Sequence, residues 1–212
     1  SKTYLSGLTN MLDTINSGSP YKLRRFLNSQ AGSYVPNLFN QLNNDPIYRE
    51  SRTLIDAIFK RIPVLSETLP PKRTVLGEVI PKNTHALPWQ TSVERDEPVY
   101  EELRDLDGPL AHPPEEYNNI DLTKFKNSKG QDAYDRYTEL QGTIKINRKT
   151  LKERLLKEIE TFDAKGLPKD VGHYKSKRSA IIQSIAMKYR DKAISVVQKD
   201  DTFKNKESGV SL

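Results

Sequence analysis

The side chains best placed by type and spacing to do chemistry are basic. Lys22-Leu23-Arg24-Arg25 and Lys175-Ser176-Lys177-Arg178 are compact cationic clusters, and Lys188, Arg190 and Lys192 continue the second along the chain. Aligned lysines and arginines neutralise phosphates and release counterions, which gives binding without sequence preference and steep salt dependence. Acids are scarce around 175–192, and Tyr174 and Tyr189 offer rings for base stacking. Lys175, Lys177, Arg178, Lys188, Arg190 and Lys192 are therefore candidate nucleic-acid contacts. Two other readings of the same residues stand beside this one: a solvated helix face, and a helix lying on an anionic membrane surface with its apolar reverse buried. Around Lys152-Glu153-Arg154 the interleaved charges favour the solvated face.

Other chemistry is hard to find. His85, His112 and His173 share no zinc-ligand spacing with one another or with a carboxylate. Single glycines such as Gly77 and Gly142 do not make a phosphate loop, and there is no G-x-S-x-G elbow. The adjacent acids Glu101-Glu102 and Glu115-Glu116 lack the distinct environments that set a catalytic acid apart from a catalytic base. Zero cysteines exclude a disulfide framework, a thiolate zinc site, an iron–sulfur cluster and a cysteine nucleophile. No catalytic residue, cofactor or metal is assigned, and the segment reads as non-catalytic.

The elements that must carry the basic clusters are helices. Tyr4, Leu5, Leu8, Met11, Leu12 and Ile15 fall on one helical face ended by Gly18. Ser19-Pro20 opens a second helix with Leu23, Phe26 and Leu27, and a third uses Leu38, Phe39 and Leu42. Asp45-Pro46 reads as a cap-plus-proline start leading to Leu54, Ile55, Ile58 and Phe59, with Pro63 as the stop. Val75 to Ile80 reads as a short strand or a bulge around Gly77, and Glu97-Pro98 as the start of one short helix. Ala133, Tyr134, Tyr137 and Leu140 form a stripe ending at Gly142. A helix from Thr150 to Ala164 stops at Gly166-Leu167-Pro168, and a last one runs from about Ser176 to Lys199 with Ile182, Ala186, Tyr189, Ala193 and Val197 inward.

Charge and proline divide this helical chain of 212 residues. Residues 1–80 hold 10 basic and 6 acidic side chains, residues 81–120 hold 3 and 9, and residues 121–212 hold 21 and 13. Nine of the thirteen prolines lie from Pro63 to Pro114, which denies that stretch a long helix or a central strand. The expected fold is mainly α: short amphipathic helices at both ends, joined by an extended proline-rich strap, with little or no sheet. The expected segments are 1–62 (helical), 63–120 (acidic strap), 121–200 (helical) and 201–212 (polar tail). Apolar residues are 35% and charged residues 29%, against roughly 45–50% and about 25% in an average domain, so one thick core is not expected. No apolar run approaches the roughly 18–20 residues of a membrane span. The first residues carry no signal-peptide pattern, and Ser1 in place of Met fits either processing or an excerpt of a longer chain.

One stretch is more specific. It runs Arg25-Phe26, Ser33-Tyr34-Val35-Pro36, Gln41, Asp45-Pro46-Ile47-Tyr48-Arg49, Thr53 and Asp56. It continues through Arg61-Ile62-Pro63-Val64-Leu65-Ser66, Leu69-Pro70-Pro71-Lys72-Arg73 and Gly77-Glu78. This resembles a domain near the C-terminus of large polyvalent phage proteins and podophage-type internal virion proteins. Leu122-Thr123, Tyr134-Asp135-Arg136-Tyr137 and Gly142 are similar to that domain's distal segment, so the resemblance covers about residues 20–197.

The resemblance implies a structural bacteriophage virion protein in an internal core or DNA-ejection assembly that helps convey the genome across the host envelope. Its partners would be other copies of itself, other core, portal or tail proteins, genomic DNA, and the host envelope or periplasm after ejection. Some members carry a peptidoglycan-cleaving domain elsewhere in a longer chain, and nothing in these residues matches it. The expected protein contacts are Arg61, Ile62, Pro63, Leu69, Pro70 and Pro71, where rigid Ile-Pro and Pro-Pro frames present side chains at low entropic cost. Strapping of the same prolines over the chain's own helices is an equal alternative.

Overall fold

The computed structural model describes Asp13 and residues 45–60, 65–82, 97–169, 171–200 and 202–205. The helices expected before residue 44, the Pro63 stop, and Arg61, Ile62 and Pro63 lie outside the described residues. Contacts divide the chain into two units, Ser1–Lys72 and Arg73–Leu212. What is described is mostly helical.

In the first unit, Asp45-Pro46 does not start a helix. The Asp45 carboxylate accepts the Ile47 N–H at 3.2 Å and pairs with the Arg49 guanidinium at 2.8 Å. That local bonding turns the chain instead of capping it. Arg49 also donates to the Leu69 carbonyl at 3.0 Å, and its backbone forms an antiparallel bridge with Pro71. Helix α1 is only Leu54–Phe59. Its start is a reciprocal box: the Thr53 N–H donates to Asp56 at 2.8 Å, and the Asp56 N–H donates to the Thr53 hydroxyl at 3.1 Å.

The second unit opens with a turn. The Gly77 N–H donates to the Thr74 carbonyl at 2.9 Å, the Thr74 N–H donates to the Glu78 carbonyl at 2.8 Å, and Arg73 bridges Val79. The φ of Gly77 is +85°, which a side chain would resist. The region expected as a strand or bulge is therefore a tight turn. The extended strap expected over 63–120 is not shown either, because residues 98–105 are helical. Helix α2, Pro98–Asp105, begins with proline at the position where a missing N–H costs nothing. It buries Val99, Tyr100 and Leu103 in the same core as Leu106 and Leu110. It ends in a Schellman motif, with the Gly108 N–H on the Leu103 carbonyl and Asp107 at φ 60°.

Strands β1, Glu116–Tyr117, and β2, Ile120–Asp121, form a hairpin closed by Asn118-Asn119, both left-handed. Strand β3, Phe125–Lys126, pairs antiparallel with β4, Lys204–Asn205. These two small ladders are the named strands of the described residues. Helix α3, Ala133–Thr143, is capped by Asp132, whose carboxylate accepts the Asp135 N–H at 2.7 Å.

Helix α4, Leu151–Ala164, carries a full capping box between Thr150 and Glu153. It stops as the glycine predicts, with the Gly166 N–H on Asp163 and the Leu167 N–H on Phe162. Helix α5, Gly172–Gln198, starts four residues earlier than expected. It is the spine of this unit. Ile182, Ile185, Ala186 and Tyr189 join a core with Leu76, Leu103, Leu151, Leu155, Ile159 and Phe162. One turn later, Ala193, Ile194 and Val197 join a second core with Leu122, Tyr134, Tyr137, Leu140 and Phe203. Each large apolar side chain fully buried there contributes roughly 1.5–3 kcal/mol. Two modest cores along one long helix are what a chain poor in apolar residues can build.

Candidate nucleic-acid interface

The register of α5 sorts its cations. At about 100° per residue, Lys177, Lys188 and Lys192 fall within roughly 60° of one another and span about 22 Å of axis. All three are exposed and make no ion pair among the described residues. The other three candidates are engaged within the fold. Lys175 pairs with Asp107 at 2.5 Å. Arg190 donates to the Gln141 amide oxygen at 2.9 Å and to the Ala111 carbonyl. Gln141 in turn donates to the Val75 carbonyl, so Arg190 ties α5 to α3 and the opening turn.

Arg178, named above as a candidate contact, is 1% exposed. Its Nε is 2.6 Å from Glu102 Oε1 and its Nη2 is 2.9 Å from Glu102 Oε2. Its third nitrogen donates to the Leu167 carbonyl. A guanidinium so enclosed is out of reach of a phosphate in solvent. Sequence alone groups Arg178 with its neighbours, because Glu102 lies 76 positions away.

Residues that the sequence reading passed over join the lysine stripe. A concavity of about 410 Å³ opens between α4, α5 and the turn that precedes α4. Lys149, Arg154, Lys157 and Lys188 line it, with Ile146, Ile185 and Tyr189 as its apolar side. Arg154 is partly neutralised by Glu158 at 3.2 Å, whereas Lys149, Lys157 and Lys188 pair with no acid among the described residues. Lys152, read from sequence as part of a solvated face, is instead paired within the fold: it lies 2.9 Å from Glu78 and also pairs with Glu97. Burial works against its ammonium, but the hydrogen bonds to Glu97 and Glu78 outweigh that and hold its pKa above the ordinary value. The interleaved acids of α4 hid this sorting. Only the fold shows which cations turn away from them.

The remaining sequence candidates fall as follows. Leu69 is buried, and Pro70 and Pro71 are half-buried, in the first unit. His112 and His173 are exposed, and His85 lies outside the described residues. Glu101, Glu115 and Glu116 are exposed, and Glu102 is taken by Arg178. Among the described residues, no three His, Asp or Glu side chains are placed to hold a metal ion, and no helix is long and apolar enough to cross a membrane. Comparison with protein-family models, curated protein sequences and solved structures finds no match for this chain.

Proposed function

We propose that this chain is a non-catalytic structural protein whose C-terminal unit binds the phosphate backbone of nucleic acid without reading sequence. The observation that carries this reading is the lysine stripe of Lys177, Lys188 and Lys192 on one face of α5, paired with no acid among the described residues and continuous with the Lys149 and Lys157 side of the concavity. A duplex carries one charge per about 1.7 Å of axis, so a stripe of about 22 Å meets several phosphates at once.

With about four phosphates neutralised, log K should fall with log salt at a slope of about −3.6, a loss of ~100-fold between 50 and 200 mM. Fluorescence anisotropy with a labelled random-sequence duplex measures that slope. Changing Lys177, Lys188 and Lys192 together to Gln should flatten it to about −1. A slope unchanged in that variant would remove the stripe from the interface.

The setting implied by the resemblance is a second proposal, favoured by the residue pattern from Arg25 to Gly142. In it the chain is part of a bacteriophage internal core or DNA-ejection assembly. It would touch copies of itself and portal or tail proteins through Arg61, Ile62, Pro63 and the half-buried Pro70 and Pro71, and meet the host envelope after ejection. Quantitative mass spectrometry of virions before and after triggered genome release tests it. Peptides of this chain should be present beforehand and depart with the genome. Absence from the particle sinks the virion setting and leaves the nucleic-acid reading standing alone.

A further inference from the structure

We infer that the concavity bounded by Lys149, Arg154, Lys157 and Lys188 is a subsite for a compact phosphate group carrying two or more negative charges, either the terminal phosphate of a nucleic-acid strand or a free polyphosphate chain. The inference rests on the nucleic-acid reading above and narrows it to a ligand class that the exposed stripe alone would not select.

Shape comes first. The space is about 410 Å³ and is walled on three sides, by the turn at 146–149, by α4 and by α5. That is the size of a small-molecule site. A continuous duplex is too thick to enter it, whereas a strand end or a short polyphosphate is not. The stripe can follow a backbone, and the concavity can take only something that ends.

Charge comes second. Arg154 and Lys157 stand three positions apart on α4 and so share a face. Lys149 approaches from the turn and Lys188 from α5. Glu158 offsets one of these four charges. Glu153, whose carboxylate accepts the Thr150 N–H at 2.7 Å at the helix start, also offsets part of the Lys149 charge. Ile146 and Ile185 put low-dielectric walls behind the cations, which focuses their field on whatever sits inside.

Rigidity comes third. The Ile146 N–H donates to the Lys149 carbonyl at 2.9 Å and the Lys149 N–H donates back at 3.2 Å. The Tyr189 hydroxyl donates to that same Lys149 carbonyl at 2.7 Å, pinning the turn to α5. The two turn residues are Asn147 at φ 51° and Arg148 at φ 67°. Glycine adopts this left-handed conformation freely and a long side chain does not. The turn thus carries an exposed arginine, Arg148, where its geometry alone would favour glycine.

The test titrates the full chain with sodium tripolyphosphate by calorimetry. It then compares 5′-phosphorylated and 5′-hydroxyl single strands of one sequence by anisotropy. Tripolyphosphate should bind and displace the phosphorylated strand, and Lys157→Gln and Lys188→Gln should each weaken it about tenfold, while Lys129→Gln on an exposed loop leaves it unchanged. Arg148→Gly should raise the melting temperature, because glycine adopts the left-handed conformation without strain. A tenfold preference for the 5′-phosphate assigns the site to strand ends. Tripolyphosphate binding without that preference assigns it to free polyphosphate. No tripolyphosphate binding, or binding indifferent to Lys157→Gln and Lys188→Gln, overturns the subsite. Salt-dependent duplex binding that persists in that case leaves the broader reading intact, whereas its loss removes both.

Discussion

Glu102→Ala is expected to lower the stability of the C-terminal unit by about 3–5 kcal/mol, because it leaves the Arg178 guanidinium buried without its counter-charge. Glu102 is 0% exposed and Arg178 1% exposed. Both carboxylate oxygens face guanidinium nitrogens, at 2.6 and 2.9 Å, and the guanidinium lies 4.8 Å from the centre of the Phe162 ring. The other acid on Arg178 among the described residues is Asp163 at 3.3 Å, and that side chain is largely in solvent. Against a total stability of about 5–15 kcal/mol for an ordinary domain, this loss is large.

The pair need not be stabilising relative to an apolar one. Two desolvated charges often do no better than two well-packed hydrophobic side chains of similar volume. The double variant Glu102→Leu with Arg178→Met should therefore recover most of what Glu102→Ala loses. Urea unfolding of the three proteins measures the difference. A Glu102→Ala variant as stable as the wild type would show that Arg178 reaches solvent, and would return it to the list of nucleic-acid contacts. Because the pair holds the first half of α5 against α2 and the end of α4, its loss should weaken duplex binding only where the unit begins to unfold.

Gly142→Ala should destabilise, although helix propensity alone says it should help by about 1 kcal/mol. Gly142 lies in α3 against the turn at 74–78. A methyl group there would sit 2.7 Å from the Leu76 carbonyl oxygen and 3.1 Å from the Gly77 carbonyl carbon. Those are backbone atoms of a turn that is itself anchored, by Gln141 on the Val75 carbonyl and by Arg73 on Asp135 at 3.0 Å. The turn cannot yield cheaply, so overpacking of about 1–3 kcal/mol should win.

Gly77→Ala should be worse. It adds the left-handed penalty of about 1–2 kcal/mol at φ +85° to a clash with the Thr138 carbonyl oxygen. Since both substitutions strike one interface, the double variant should lose less than the sum. Thermal melts of all three check this. A stabilised Gly142→Ala would mean that the turn does not dock on α3.

Much of the helical content was legible in local sequence, because the signals act within a few residues. Thr150 and Glu153 start α4, Gly166 and Leu167 stop it, and Pro98 opens α2, each through bonds between near neighbours. The inward face of α5 was legible for a similar reason: Ile182, Ala186, Tyr189, Ala193 and Val197 repeat at helical spacing, and all are buried. Asp45-Pro46 misled, because an aspartate before proline suits a helix start and a side-chain turn equally. The choice was made by Arg49, four residues on and held by the Leu69 carbonyl. Proline density suggested an extended strap over residues 63–120 that is not shown, although the short helix begun at Glu97-Pro98 within it was legible.

The candidate site divides along the same line. Sequence by itself determined that α5 is long, basic and apolar on one side, and it named Lys177, Lys188 and Lys192 only among six candidate cations. Which cations remain free to meet a phosphate was decided only by tertiary structure. Arg178 is withdrawn by an acid 76 residues away and Arg190 by an amide 49 residues away, while Lys149 and Lys157 are brought beside Lys188 by a turn. Charge counts cannot anticipate this. A cation's availability depends on whether an acid stands within a few ångströms, and separation along the chain says little about that distance.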